Sequence, residues 1–266
     1  MTTLRLADIA TFTHGRLIGA DGVVSGVSTD TRTLRGGELF VALVGESHDA
    51  HAFVAQARER GAAAALVSRR VEVDLPQVLV RDTLLALGDL ASAVRAQRRA
   101  RVVGITGSNG KTTVKTLTAA VLQRHGRTHV TVGNLNNEIG LPLTVLALPE
   151  DAEFAVLEMG AGKPGDIAYL AAIGRPEVSL VNNIGPAHLE RMGSLDGIAQ
   201  TKGAIYSALP PDGVAVINAD DAYADYFTGL AGARRTLRFG LHSAAAVRAE
   251  GLTLDATTSR FELVTP

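Results

Sequence analysis

The chain has no cysteine and no tryptophan, few aromatics (4% of residues) and almost no net charge, with 26 basic against 27 acidic side chains. Without cysteine there is no disulfide framework, no thiolate metal site and no cysteine nucleophile. Near-neutrality leaves no global field to recruit nucleic acid or an anionic membrane. The run from Arg95 to Arg101 holds four arginines. It reads as the solvated face of a helix end rather than as a nucleic-acid patch. No stretch approaches the roughly 18 apolar residues that a membrane span needs. The N-terminal residues carry no long apolar run either. The expected address is the cytoplasm, with no nucleic acid and no membrane as partner.

Apolar residues make up 46% of the 266 and are mostly aliphatic, so the cores are expected to be Ala, Val and Leu. This length suits one large or two modest domains. Residues 1–82 read as a small α/β unit, with strands at 39–44, 62–67 and 77–80 and a short helix at 53–61 ended by Gly61. A helical stripe over 83–99 (Leu84, Leu87, Leu90, Ala91, Val94) could bridge to a second domain. From Arg101 strand and helix alternate. Strands are expected at 101–106, 128–132, 154–158, 178–183 and 214–218, and helices at 111–125, 139–147, 165–173, 195–209 and 221–230. This alternation predicts a mostly parallel sheet covered on both faces, with ligands beyond the carboxyl ends of its strands. Short strands are expected again at 236–240, 246–250 and 260–264.

The densest chemical signal is Gly107-Ser108-Asn109-Gly110-Lys111-Thr112-Thr113, between an apolar strand and a helix. Glycines let the backbone curl so that several N–H groups face one point, and the new helix adds its positive end. Such a nest binds phosphate. Lys111 brings a mobile positive charge to the outer phosphates, and the Thr112 hydroxyl is suited to Mg²⁺. The glycine that the longer phosphate-loop pattern places first is Ile105 here, leaving the short form Gly-x-x-Gly-Lys-Thr-Thr. The chain is expected to handle a nucleoside triphosphate rather than a dinucleotide.

Other polar residues fall at strand ends. Glu158 closes the strand at 154–158, and the glycines after it leave space for a ligand, so it reads as a holder of nucleotide-bound Mg²⁺ rather than a turn carboxylate. His188 follows the strand at 178–183; the residues alone leave it as either a hydrogen-bonding histidine or a ligand. Lys202 sits in a helix where Gly203 and Ala204 leave room beside it, and it reads either as exposed or as buried and able to react in its neutral form. The cluster Ser28, Thr29, Asp30, Thr31 and Arg32 precedes a strand. It reads equally as a capped turn with a surface ion pair or as a site for a phosphate, sugar or base.

These residues together resemble the Mur ligase family of peptidoglycan synthesis. The motifs that carry the likeness are Ser28–Arg32, Leu39–Gly45 with Asp49-Ala50-His51, Thr106–Lys115, Gly133–Thr144, Leu157–Gly160, Asn182–Glu190 and Lys202-Gly203, in family order over nearly the whole chain. The most specific is Asn134-Leu135-Asn136-Asn137-Glu138-Ile139-Gly140. The resemblance implies an ATP-dependent ligase that joins D-alanyl-D-alanine to a UDP-N-acetylmuramoyl tripeptide through an acyl phosphate. It implies an N-terminal UDP-substrate domain at 1–82 and a central ATP-binding domain at 83–266. By motif, Gly107 to Thr113 wrap the phosphates of ATP, with Lys111 on the transferring group. Thr112 and Glu158 hold one Mg²⁺, and His188 with Lys202 serves a second, Lys202 being able to carry CO₂ as a carbamate. Ser28 to Arg32, with Asn134, Asn136 and Asn137, fall to the substrate. The family is usually monomeric. Its members have a further central segment and a C-terminal ligase domain that have no counterpart here, so an incomplete central sheet and little or no turnover by this chain alone are expected. A sibling ligase for another amino acid, and a nucleotide-binding module without turnover, are the competing expectations.

Overall fold

The computed structural model describes residues 3–45, 48–187, 189–241 and 245–266. Packing divides the chain into two units, residues 1–100 with 131–153 and residues 101–130 with 154–266. In the first, β1 (Leu4–Arg5), α1 (Leu6–Phe12) and β2 (Arg16–Ile18) lead to β3 (Val23–Val24), which pairs antiparallel with β1. Then come β4 (Val27–Ser28), β5 (Leu39–Val41), α2 (Val54–Glu59), β6 (Ala64–Val67) and β7 (Gln77–Leu79). They form a sheet in the order β2–β7–β6–β5–β4, in which only β2 runs antiparallel to its neighbour. β5 and β6 are buried at every residue, as apolar runs covered on both faces must be. Val54 and Ala57 of α2 close a core with Phe40, Ala42, Ala65 and Val67.

Polar groups fix the loops of this unit. Buried His51 accepts the Ser68 N–H at Nε2 (2.8 Å), so its proton stays on Nδ1 and is donated to Asp49 at 2.6 Å. α3 (Thr83–Ala96) begins at Asp82, whose carboxylate accepts the Leu84 and Leu85 N–H groups, while Thr83 donates to Ala42 O at 2.9 Å. It packs on α1 and, later in the chain, on α5 (Gly140–Leu146). The compact units thus differ from the division at residues 82 and 83 read from the sequence. The stripe of α3 is a core face of the first unit, with Leu87, Leu90, Ala91 and Val94 buried. The arginine run differs in part, for Arg99 and Arg101 are exposed as expected. Arg95 is buried and the Arg98 side chain is 6% exposed. Their guanidinium groups donate to Arg98 O (3.0 Å) and Leu148 O (3.2 Å), just past the ends of α3 and α5, so backbone carbonyls replace solvent as their partners.

The second unit runs β8 (Arg101–Thr106), α4 (Lys111–Leu122), β9 (Thr128–Val130), β10 (Phe154–Glu158), α6 (Asp166–Gly174) and β11 (Val178–Val181). It continues with α7 (Leu189–Met192), α8 (Leu195–Ser207), β12 (Val214–Asn218), α9 (Ala224–Ala231), β13 (Arg235–Gly240), β14 (Val247–Leu254) and β15 (Ser259–Val264). The sheet order is β15–β14–β13–β12–β11–β8–β10–β9, parallel throughout except β14 with β15. After β10 the chain passes over β8 to reach β11, so the topological switch point lies at β8, where open parallel sheets bind ligands. β11 ends at Val181 rather than at 183, because the chain leaves the ladder to bond the loop after β8. α9 starts at Ala224 rather than at 221: the Asp221 carboxylate first accepts the Tyr223 and Ile184 N–H groups, at 2.9 and 2.7 Å. Among the described residues no helix is long and apolar enough to cross a membrane.

Tyr206 ties α8 to the sheet. It is fully buried; its hydroxyl donates to Val216 O at 2.7 Å and accepts the Val181 N–H at 2.9 Å, joining neighbouring β11 and β12. Its ring packs tilted on Phe227 of α9, centroids 5.5 Å apart. Tyr206→Phe keeps the ring and takes one partner from each of two backbone groups, the Val181 N–H buried and the Val216 carbonyl partly so. A loss of about 1–3 kcal/mol is expected in urea unfolding, and a change within error would mean that the hydroxyl contributes nothing net.

Candidate active site

The loop after β8 is held open by its glycines and by the loop after β11. Gly107 has φ +148° and Gly110, which precedes α4, has φ +75°. A Cβ on Gly107 would stand 3.0 Å from Asn182 Cβ, and one on Gly110 would stand 2.7 Å from Asn182 Nδ2. Both glycines are therefore needed for their shape and for the closeness of Asn182. The Ser108 N–H donates to Asn183 O and the Asn109 N–H to Asn183 Oδ1, each at 2.9 Å. The Ser108 hydroxyl exchanges bonds with the Gly185 backbone (2.9 and 3.0 Å), and the Asn182 amide donates to Asn109 O at 2.8 Å.

This differs from a cradle spread evenly over Gly107 to Thr113. Ser108 and Asn109 spend their N–H groups on shaping the loop. The open donors are at the start of α4, where no side chain caps the helix and its first turn holds no acidic residue. The N–H groups of Lys111, Thr112 and Thr113 have no intrahelical acceptor there, which is the arrangement that takes an anion. The turn after β10 provides a contrast. Gly160-Ala161-Gly162-Lys163-Pro164-Gly165 has the Gly-x-Gly-x-x-Gly spacing of a dinucleotide turn. However, the Asp166 carboxylate accepts the Gly162 and Lys163 N–H groups at 2.8 and 2.9 Å, so the chain's own anion already fills it.

Three further side chains gather at the phosphate loop. Lys111 curls back to donate to Gly107 O (2.8 Å) and Ser108 O (3.2 Å); burial lowers its pKa and the nearby Glu158 opposes that shift. Glu158 ends β10 opposite Ile105 of β8 and is 2% exposed. Its Oε2 accepts the Thr112 hydroxyl at 3.0 Å, so the two residues read as Mg²⁺ holders are in contact. The same oxygen lies 3.2 Å from Nζ of Lys115, a buried lysine one turn along α4 that the sequence reading passed over. Its signal was its place three residues after Thr112, on the same helical face. Lys202 of α8 is buried, and its pKa falls to about 8, first through burial and then through the charge of Lys111. Gly203 leaves no room beside it. A Cβ there would stand 2.6 Å from Leu230 Cδ1, so Gly203 serves the contact of α8 with α9. His188 lies outside the described residues. Among those described, no group of three or more His, Asp or Glu side chains gathers for a metal. Thr112 and Glu158 nonetheless offer the hard oxygen donors that suit Mg²⁺.

The remaining candidates belong to the first unit and are largely self-satisfied. Arg32 forks onto Asp30 at 2.6 Å while 84% exposed, and Asp30 is held at about 2 chiefly by that bond. Ser28 Oγ donates to Asp30 O at 3.1 Å, Thr31 donates to Gln56 Oε1 at 2.8 Å, and Thr29 is half-buried between them. The structure thus contains the capped turn with its ion pair. Asn137 caps α5 by accepting the Gly140 N–H at 2.9 Å. Asn134 is exposed and Asn136 half-buried in the turn before it, where the Asn136 N–H donates to Asn134 O at 2.7 Å. Gly140 permits that turn, since a Cβ on it would fall 2.4 Å from the backbone of Leu135.

Comparison with known proteins identifies the family. The Mur ligase middle domain matches residues 105–266, and the Mur ligase family catalytic domain matches residues 23–95. The UDP-N-acetylmuramoyl-tripeptide–D-alanyl-D-alanine ligase of Escherichia coli K12 is 46% identical over 267 residues, covering all of this chain and 59% of that protein. A crystal structure of MurF from Acinetobacter baumannii superposes with TM-score 0.95 at 35% identity, again over all of this chain and 59% of that one. MurF from Thermotoga maritima, solved in complex with ADP, superposes with TM-score 0.81 at 33% identity, over 90% of this chain and 56% of that one. The chain thus spans about 59% of the length of these first relatives, and it belongs to the Mur ligase family.

Proposed function

We propose that this chain carries the nucleotide site and the UDP-substrate region of an ATP-dependent ligase that joins D-alanyl-D-alanine to a UDP-N-acetylmuramoyl tripeptide in the cytoplasm. The observation that carries the reading is the uncapped start of α4, with Lys111 and the Thr112–Glu158 pair beside it. The E. coli relative is named for this ligation and the Thermotoga relative was solved with ADP. In the reaction, the tripeptide carboxylate takes the γ-phosphoryl group, and the amine of D-alanyl-D-alanine attacks the acyl phosphate. The tetrahedral adduct then collapses to amide and phosphate, with ADP left from the first step. The first-turn N–H groups of α4 hold the phosphates in line, and Lys111 neutralises charge on the transferring group. When bound, two Mg²⁺ ions (one on Thr112 and Glu158, one served by His188 and a carbamylated Lys202) screen the repulsion between carboxylate and triphosphate. Arg32, released from Asp30, meets the diphosphate of the UDP moiety, and Ser28, Thr29 and Thr31 line the same site. Asn134, Asn136 and Asn137 belong to the substrate side.

Calorimetry separates the two sites. ADP with Mg²⁺ is expected to bind, at least about tenfold more weakly in Lys111→Ala, as loss of a charge-assisted phosphate contact implies. Unchanged affinity would remove Lys111 from the site. UDP-N-acetylmuramoyl tripeptide is expected to bind saturably and to lose that binding in Arg32→Ala. A folded chain that ignores the tripeptide leaves the nucleotide site alone standing.

Lys202 generates a pH dependence. Its pKa is lowered from 10.5 to about 8. The unfolded chain therefore binds more protons between those values, and the cost of burying the cation, fully present below about pH 8, is relieved as pH rises through that window. The neutral amine attacks CO₂, forming the C–N bond and releasing one proton. With ¹³C-bicarbonate, a carbamate resonance is expected that grows as pH passes about 8 and is missing in Lys202→Ala. A spectrum without that resonance would count against the modification.

A further inference from the structure

α4 buries two residues, Ala119 and, one turn before it, Lys115. A lysine in the buried stripe of a helix is costly unless paired. Its partner is the 3%-exposed Glu158 carboxylate, 3.2 Å away, and the oxygen involved is the one that also accepts the Thr112 hydroxyl. The oxygen best placed to meet a metal beside Thr112 therefore already faces a cation. Lys111 is within electrostatic reach of Glu158 and of Lys202. Glu158 thus faces the ammonium groups of both Lys111 and Lys115.

We propose that Lys115 is the resident counter-ion of Glu158 and makes the metal site depend on nucleotide, so that a divalent cation takes the carboxylate only when it arrives on a polyphosphate. A bare cation must approach the ammonium groups of Lys111 and Lys115 with the Glu158 carboxylate to offset them. A diphosphate or triphosphate seated on the start of α4 reverses that balance before the metal is held. Lys115 also keeps Glu158 turned to Thr112, so it acts on the metal as a positioning residue and touches no reacting atom. A purely structural ion pair would stabilise the fold in the same way but would not affect metal affinity. The inference rests on the phosphate loop being a nucleotide site, and its test keeps the two apart.

Free Mn²⁺ is followed by electron paramagnetic resonance during titration of the chain, with and without ADP. Wild type is expected to bind Mn²⁺ with ADP, and at least about tenfold more weakly without it. Lys115→Met is expected to tighten the nucleotide-free binding at least about tenfold. Lys115→Arg should behave as wild type, and Lys115→Met combined with Glu158→Gln should lose the gain. Equal nucleotide-free affinity in wild type and a folded Lys115→Met overturns the inference. So does equal Mn²⁺ affinity with and without ADP in wild type, which requires no variant to fold. Failure of ADP to bind at all would instead overturn the nucleotide site.

Discussion

A phosphate loop works only if its backbone donors are aimed before the anion arrives, and in this chain the aim depends on the loop that follows β11. Asn182 packs against both Gly107 and Gly110, while Asn183 takes the N–H groups of Ser108 and Asn109. The support continues outward. Asn218, at the end of β12, donates to Asn182 O at 3.0 Å, and Asp221 accepts the Ile184 N–H. The shape of the loop after β8 is thus fixed by residues from the ends of the next two strands along the sheet. Preorganised donors need no rearrangement when charge develops, which is where electrostatic catalysis finds its advantage. The parallel order of β8, β11 and β12 is what brings those strand ends together.

Three lysines meet at this point, and the fold gives each a different condition. Lys111 bonds carbonyls of its own loop. Lys115 is paired and buried. Lys202 is buried and its charge is weakened by desolvation and by Lys111. Residue type alone predicts none of this. The environment decides whether an amine acts as a mobile cation, a fixed counter-ion or a latent nucleophile.

The sequence was most legible where local and tertiary preferences agree. β8, β10 and β12 have the expected ends because each is an apolar, β-rich run bounded by turn residues. Hydrogen bonds between segments were invisible to periodicity, which is why β11 stops early and α9 starts late. Charged residues were the hardest to read. Arg95 and Arg98 looked solvated because arginines usually are, but Arg95 bonds a nearby carbonyl and Arg98 bonds Leu148 O and pairs with Glu150. Lys115 was passed over because its partner Glu158 comes from a strand more than forty residues away. Gly203 was read as making room for Lys202, and the space it frees is filled by α9. The thread of the first unit was legible as an α/β sheet, but the return of residues 131–153 to it was not, since composition carries no trace of which core a segment joins.

Two ion pairs show how burial turns the same chemistry to opposite ends. Arg32 and Asp30 meet on the surface, where water screens the attraction and stands ready to solvate either partner. Such a pair gives little resistance to an incoming phosphate, which can take the guanidinium fork while Asp30 keeps its backbone N–H bond to Arg32. Lys115 and Glu158 have no such exchange with solvent, their side chains being 6% and 3% exposed. Separating them leaves a buried charge uncompensated, so an ion that would replace Lys115 at Glu158 must bring compensating charge with it. The surface pair is suited to being opened by a ligand, and the buried pair to excluding one that comes alone.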